Sequence, residues 1–226
     1  LVYKGIPFVG KQPVGDLRWK APVDCVADGG VYEAYYNAKS AYGNEDLEDG
    51  SLYYQGEDCL YLNVWKVDDE FTGKKPVMVW IHGGGYMVGM AAMVDFSCGK
   101  MLGKRYEAVV VSPGYRLAFQ APYPAALEDC YAALKYLKEH ANELGCDSKR
   151  IMVGGESAGG GLCYSLLLRL REAGEQLPAG VIAISPWTDL TLSGPSYEES
   201  KDIDPSMTAE MLRFYAQQYG GDPKDA

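Results

Sequence analysis

The chain has 226 residues, which suits one α/β domain with a sizeable core and is short for two. Its 21 basic and 31 acidic residues give a formal charge of −10, which argues against nucleic acid or an anionic membrane as partner. No apolar run approaches the length of a membrane span.

Residues 1–25 carry prolines and glycines at short intervals and read as an irregular, extended segment. Residues 26–57 are polar, acidic and tyrosine-rich, the composition of a surface loop. Leu60–Val67 reads as a strand, closed by turn residues Asp68, Asp69 and Gly73. Val77–Ile81 and Ala108–Ser112 are near-continuous apolar runs, the pattern of strands buried on both faces of a sheet. From Ala125 the period changes. Leu127, Cys130, Leu134, Leu137, Ala141 and Leu144 recur at spacings of three and four, giving a helix face that Gly145 ends. An apolar strand at 151–153 follows, then a helix from Ala158 with Leu162, Leu166, Leu167 and Leu170 inward. A last buried strand runs Val181–Ile184, and a helix is expected around Ala209–Tyr219. Strands alternating with helices after residue 77 predict a mainly parallel sheet with helices on both faces, in a single domain over 1–226.

The chemistry concentrates at Gly155-Glu156-Ser157-Ala158-Gly159, a G-x-S-x-G pattern set between a strand and a helix. In that context the pattern is a nucleophile elbow: a sharp, strained turn presents the serine at the carboxyl end of the strand. Gly155 and Gly159 leave room where a Cβ would clash. The helix beneath Ser157 begins with unpaired N–H groups that can face a developing oxyanion. A second element stands after the 77–81 strand, where His82-Gly83-Gly84-Gly85 lets backbone amides point into a site without side-chain obstruction. Together these predict acyl transfer, with Ser157 as nucleophile and Gly83, Gly84 and Ala158 as oxyanion donors. Such chemistry needs no cofactor or metal. The six cysteines show no C-x-x-C spacing, which argues against a metal site, and Cys130 and Cys163 read as small core residues. This cysteine usage favours a reducing, cytoplasmic setting.

These motifs identify the chain as resembling the α/β-hydrolase esterases, in two branches. Lys4-Gly5-Ile6-Pro7-Phe8, Pro13–Trp19 and Glu57-Asp58-Cys59-Leu60-Tyr61-Leu62-Asn63-Val64-Trp65 are similar to type-B carboxylesterases. Tyr115–Ala118, Tyr123–Cys130, the serine elbow and Ser185–Leu190 resemble the hormone-sensitive-lipase-like branch. The resemblance implies a serine ester hydrolase acting on short acyl esters, with His82 supporting the oxyanion loop and the segment at about 187–219 forming part of a cap. In the type-B branch the cysteine at the Cys59 position often closes a disulfide; its usual upstream partner falls near Ser40 here and the nearest upstream cysteine is Cys25, so the resemblance leaves both a bridged and a free Cys59 open.

Such an enzyme needs an acid and a histidine, in that order, after the serine. No histidine follows Ser157. His82 belongs to the oxyanion motif, and His140 lies in the second half of the long helix, where it can meet the helix C-terminal dipole. Asp189 is expected to order its loop and Glu156 to support the elbow from within. The expectation is therefore a fragment, with first strands before Leu1 and the strands bearing acid and histidine after Ala226, set against a naturally shortened protein. The competing readings are a binding or adhesion module that kept this fold without its chemistry, and an amide or thioester in place of the ester.

Overall fold

Six strands form one sheet in the order β1-β4-β6-β5-β7-β8, in a computed structural model that describes residues 1–26, 29–42, 54–95, 98–204 and 206–220. The strands are β1 (Val2–Pro7), β4 (Tyr61–Trp65), β5 (Lys75–Ile81), β6 (Val109–Pro113), β7 (Cys146–Glu156) and β8 (Gly180–Ile184); β2 (Val9–Lys11) and β3 (Val23–Asp24) pair separately. From β6 through β5 and β7 to β8 every pairing is parallel, whereas β1 and β4 join antiparallel at one side. This is the mainly parallel sheet that the alternating pattern predicts.

Strand periodicity sorts the core into two layers. Met78 and Trp80 of β5 face one way, with Trp65, Val94 and Val110. Val77, Val79 and Ile81 face the other, with Val109, Val111, Ile151 and Val153. The first layer is covered by α1 (Cys98–Arg105), which comes close because Gly99 and Gly103 carry no side chain: a Cβ at Gly99 would lie 2.6 Å from the Trp80 ring. The second is covered by α2 (Ala125–His140) and α3 (Ala158–Glu172), through Leu127, Cys130, Leu134 and Leu137 and through Leu162, Cys163, Leu166 and Leu170. Each buried leucine contributes on the order of 2 kcal/mol of apolar transfer.

Three local expectations are revised. The first 25 residues are not wholly irregular, because β1 finds a partner in β4 at the sheet's margin, with a register break at Gly5, where φ is +67°. Helix α1 is only eight residues long, with low mean hydropathy and two glycines, so the sequence reading did not announce it. Helix α2 ends at His140, and residues 141–145 turn into β7 through Gly145 at φ +67°. Of the expected surface loop, residues 43–53 lie outside the described residues, as do 27–28. Among the described residues no helix is long and apolar enough to cross a membrane.

After β8 the chain runs over the carboxyl end of the sheet through a short helix α4 (Ser196–Glu199) to α5 (Ala209–Gly220). Asp189 orders this stretch as expected. Its carboxylate accepts hydrogen bonds from the backbone and hydroxyl groups of Thr191 and Ser193, which hold its pKa down at about 2. Beside the sheet, Arg116 and Asp129 form a buried ion pair whose remaining guanidinium donors bind the carbonyls of Arg18 and Lys20. That pair ties the N-terminal segment to the domain.

Candidate active site

Strands β5 and β7 are parallel neighbours, with Ile81 opposite Gly155, so the glycine loop and the serine elbow leave the sheet side by side. At the elbow Ser157 has φ 53° and ψ −122°, a conformation that a side chain rarely adopts and that costs about 1–3 kcal/mol. Neighbouring backbone holds it there. The Ser157 N–H donates to the Ile184 carbonyl at 3.0 Å, and its own carbonyl accepts from Trp187 at 2.9 Å and Gly161 at 3.1 Å. The Ser157 hydroxyl makes no capping bond to α3.

Gly155 and Gly159 are required by close approach rather than by a positive φ. A Cβ at Gly155 would lie 2.6 Å from the Ile81 carbonyl oxygen, and one at Gly159 only 2.2 Å from the same atom. The start of α3 is thus pressed against the end of β5. This puts the Ala158 amide, first in the helix, beside the glycine loop.

The loop itself touches the elbow. A Cβ at Gly83 would lie 3.2 Å from the Ser157 Cβ and 2.9 Å from the Glu156 carbonyl oxygen. Burial raises the pKa of the Glu156 carboxyl, and the neighbouring Gly83 amide and Trp80 indole draw it partly back down. Gly84 (φ +110°) and Gly85 (φ +61°) then turn the chain, and the Gly84 carbonyl accepts from Met87 at 2.9 Å and Val88 at 3.0 Å.

His82 lies beneath this loop, 1% exposed. Its ring stacks on Tyr115 at 4.2 Å, and the Tyr115 hydroxyl donates to the His82 carbonyl at 2.8 Å. Nδ1–H donates to the Gly83 carbonyl at 2.9 Å, while Nε2 is buried with no hydrogen-bond partner among the described residues. Burial pushes the imidazole pKa down to about 4, so the ring is neutral at ordinary pH. His140 is far from this chemistry in character: it stacks on Tyr136 and its Nδ1 binds the Tyr136 carbonyl one helical turn back. Among the described residues neither histidine hydrogen-bonds Ser157.

The disulfide left open at Cys59 is absent. Cys59 is a buried free thiol whose Sγ donates to the Gln120 Oε1 at 3.5 Å, and burial raises its pKa far above the usual thiol value. Ser40 lines the same small cavity as Cys59. Four residues around the site were given no role by the sequence reading: Tyr86, Tyr115, Tyr215 and Tyr219. The available signal was the tyrosine spacing of four on α5.

A sheet of this order, with a serine elbow after one central strand and a glycine loop after its neighbour, defines an α/β hydrolase. The profile described as the alpha/beta hydrolase fold matches residues 78–226, and the chain belongs to that family. It is 34% identical over 193 residues to an acetyl-hydrolase of Streptomyces hygroscopicus, covering 84% of this chain and 61% of that protein. It is 38% identical over 186 residues to the para-nitrobenzyl esterase of Bacillus subtilis, covering 73% and 36%. Among solved structures, a hyperthermophilic esterase from the archaeon Pyrobaculum calidifontis superposes with a TM-score of 0.68 at 33% identity, over 74% of this chain and 54% of that one. The chain therefore spans between about a third and three fifths of the length of these relatives.

Proposed function

We propose that the protein carrying this chain is a serine carboxylic-ester hydrolase that works through an acyl-enzyme on short, uncharged acyl esters. The observation that carries this reading is the strained Ser157, held at the carboxyl end of β7 by Ile184 and Trp187 with the glycine loop packed against its side chain. Ser157 Oγ attacks the ester carbonyl, the alkoxide leaves, and water later releases the acid. The developing oxyanion is received by backbone N–H groups, which act without reorganising as charge appears. Ala158, Gly83 and Gly84 are assigned as donors. His82 braces the loop from below as a neutral ring.

The general base and its acid are assigned to no residue described here, since both histidines of the chain have other partners. A short acyl group accords with the acetyl-hydrolase among the relatives. The test is hydrolysis of p-nitrophenyl acetate and butyrate by the full-length gene product and by Ser157→Ala. Turnover abolished in the variant supports the reading; a folded full-length product that leaves both esters intact removes it.

A further inference from the structure

The glycine loop has no side chains of its own between His82 and Tyr86 with which to hold a shape, and glycine loses the most backbone freedom on ordering. Something else must fix it. From below it is held by the His82–Tyr115 stack and by the Met87 and Val88 amides. From above it is met by α5. The Tyr215 ring lies directly over Gly85, where a Cβ would come within 2.5 Å of Cδ2 and 2.8 Å of Cε2. One turn later Tyr219 stacks face to face on Tyr86, with centroids 3.8 Å apart and planes 5° apart, both rings buried.

We propose that α5 is a clamp on the oxyanion loop, and that Tyr215 and Tyr219 are positioning residues for the ester chemistry. The proposal rests on the esterase reading above for its catalytic part. Tyr86 sits at φ +64°, unusual for a bulky residue, and such a conformation persists only where its surroundings over-determine it. Here those surroundings are the Tyr219 ring, the tilted Trp187 ring and the Ala118 amide, which donates to the Tyr86 carbonyl at 2.8 Å. The helix is itself pinned, because the Tyr123 amide donates to the Tyr219 carbonyl at 2.7 Å and the Tyr123 ring meets Tyr219 edge-on. Tyr215 and Tyr219 share one face of α5 with the buried Ala216 between them. The segment expected to cover the acyl pocket thus also sets the height and turn of the loop that stabilises the transition state. Undocking α5 leaves Ser157 in place, since its bonds run to Ile184 and Trp187, but frees Gly84 and Gly85.

The experiment uses the full-length gene product with Tyr215→Ala, Tyr219→Ala and the corresponding phenylalanine variants, and measures kcat and KM separately with amide hydrogen exchange across residues 83–88. An interaction made only in the transition state lowers kcat and leaves KM. The alanine variants are expected to lose at least tenfold in kcat with KM within about threefold, and the loop amides to exchange at least tenfold faster. The phenylalanine variants keep the rings and are expected to retain at least half of kcat. Leu137→Ala, a core cavity in the far half of α2, serves as reference: it lowers thermal stability without altering kcat. If an alanine variant does not fold, the leucine variant at the same position is read in its place. Folded variants with kcat within twofold of wild type, or with loop exchange unchanged, overturn the clamp. A wild type that cleaves no ester, with loop exchange still accelerated in the variants, supports the clamp and removes only the esterase reading.

Discussion

The Arg116–Asp129 pair allows a stability to be worked from individual atoms. Arg116 is 2% exposed and Asp129 is fully buried. The carboxylate accepts from Arg116 Nη2 at 2.7 Å, from Nε at 2.9 Å and from the Arg116 backbone N–H at 2.9 Å. Nη1 donates to the carbonyls of Lys20 at 2.9 Å and Arg18 at 3.1 Å. Burial raises the Asp129 pKa and the guanidinium pulls it back, so the carboxylate depends on its partner for its charge. Arg116→Met keeps the apolar stem and strands that carboxylate with one backbone donor. Losing one member of a buried pair costs about 3–5 kcal/mol, and the two abandoned carbonyls add about 1 kcal/mol. Adding Asp129→Leu removes the stranded charge, leaving an unpaired Arg116 N–H and the two carbonyls, about 2–3 kcal/mol in all. Urea unfolding at pH 7 is therefore expected to rank wild type first, the double variant second and Arg116→Met last. A single variant within about 1 kcal/mol of wild type, or a double variant no more stable than the single, would refute the reasoning.

Other consequences follow from the same geometry. The His82 pKa is depressed from 6.5 to about 4 in the folded chain, so between those values the unfolded state binds more protons and stability must fall as pH falls. The loss through that window is worth roughly 3 kcal/mol, read as the pH dependence of the urea midpoint, and His82→Gln should flatten it. Ser157→Gly is expected to raise stability by about 1–2 kcal/mol by relieving the strained φ, while abolishing ester turnover; a lower urea midpoint would count against stored strain. Two glycine variants should separate space from backbone conformation. Gly159→Ala drives a Cβ to 2.2 Å from the Ile81 carbonyl and should cost more than about 3 kcal/mol, whereas Gly174→Ala has nothing within 4 Å and only its φ of +69° to oppose it, about 1 kcal/mol. Equal losses in circular-dichroism melts would show that close approach is not what the elbow glycine serves.

The strands and the two long helices were legible because β5 and β6 are near-continuous apolar runs, buried almost throughout, while α2 and α3 repeat at three to four residues. The elbow and the glycine loop were legible as local patterns, and Ile81 opposite Gly155 explains why they meet. What was hidden depends on contacts distant in sequence. Helix α1 is short and docks partly through glycines, whose contribution is an absence of atoms that a sequence reading does not register. The strand character of the first residues comes from pairing with β4, some sixty positions away. Cys59 forms no disulfide and its thiol donates instead to Gln120, some sixty positions away. The aromatic clamp joins residue 86 to residues 215 and 219, which no local reading connects.

The central claim is that Ser157 is a nucleophile in a site built to hold a tetrahedral oxyanion. Fluorophosphonate labelling of the full-length gene product, mapped by mass spectrometry beside Ser157→Ala, tests it most directly. The account predicts a single adduct on Ser157 and none in the variant. A folded full-length product that takes no label at Ser157 would contradict it.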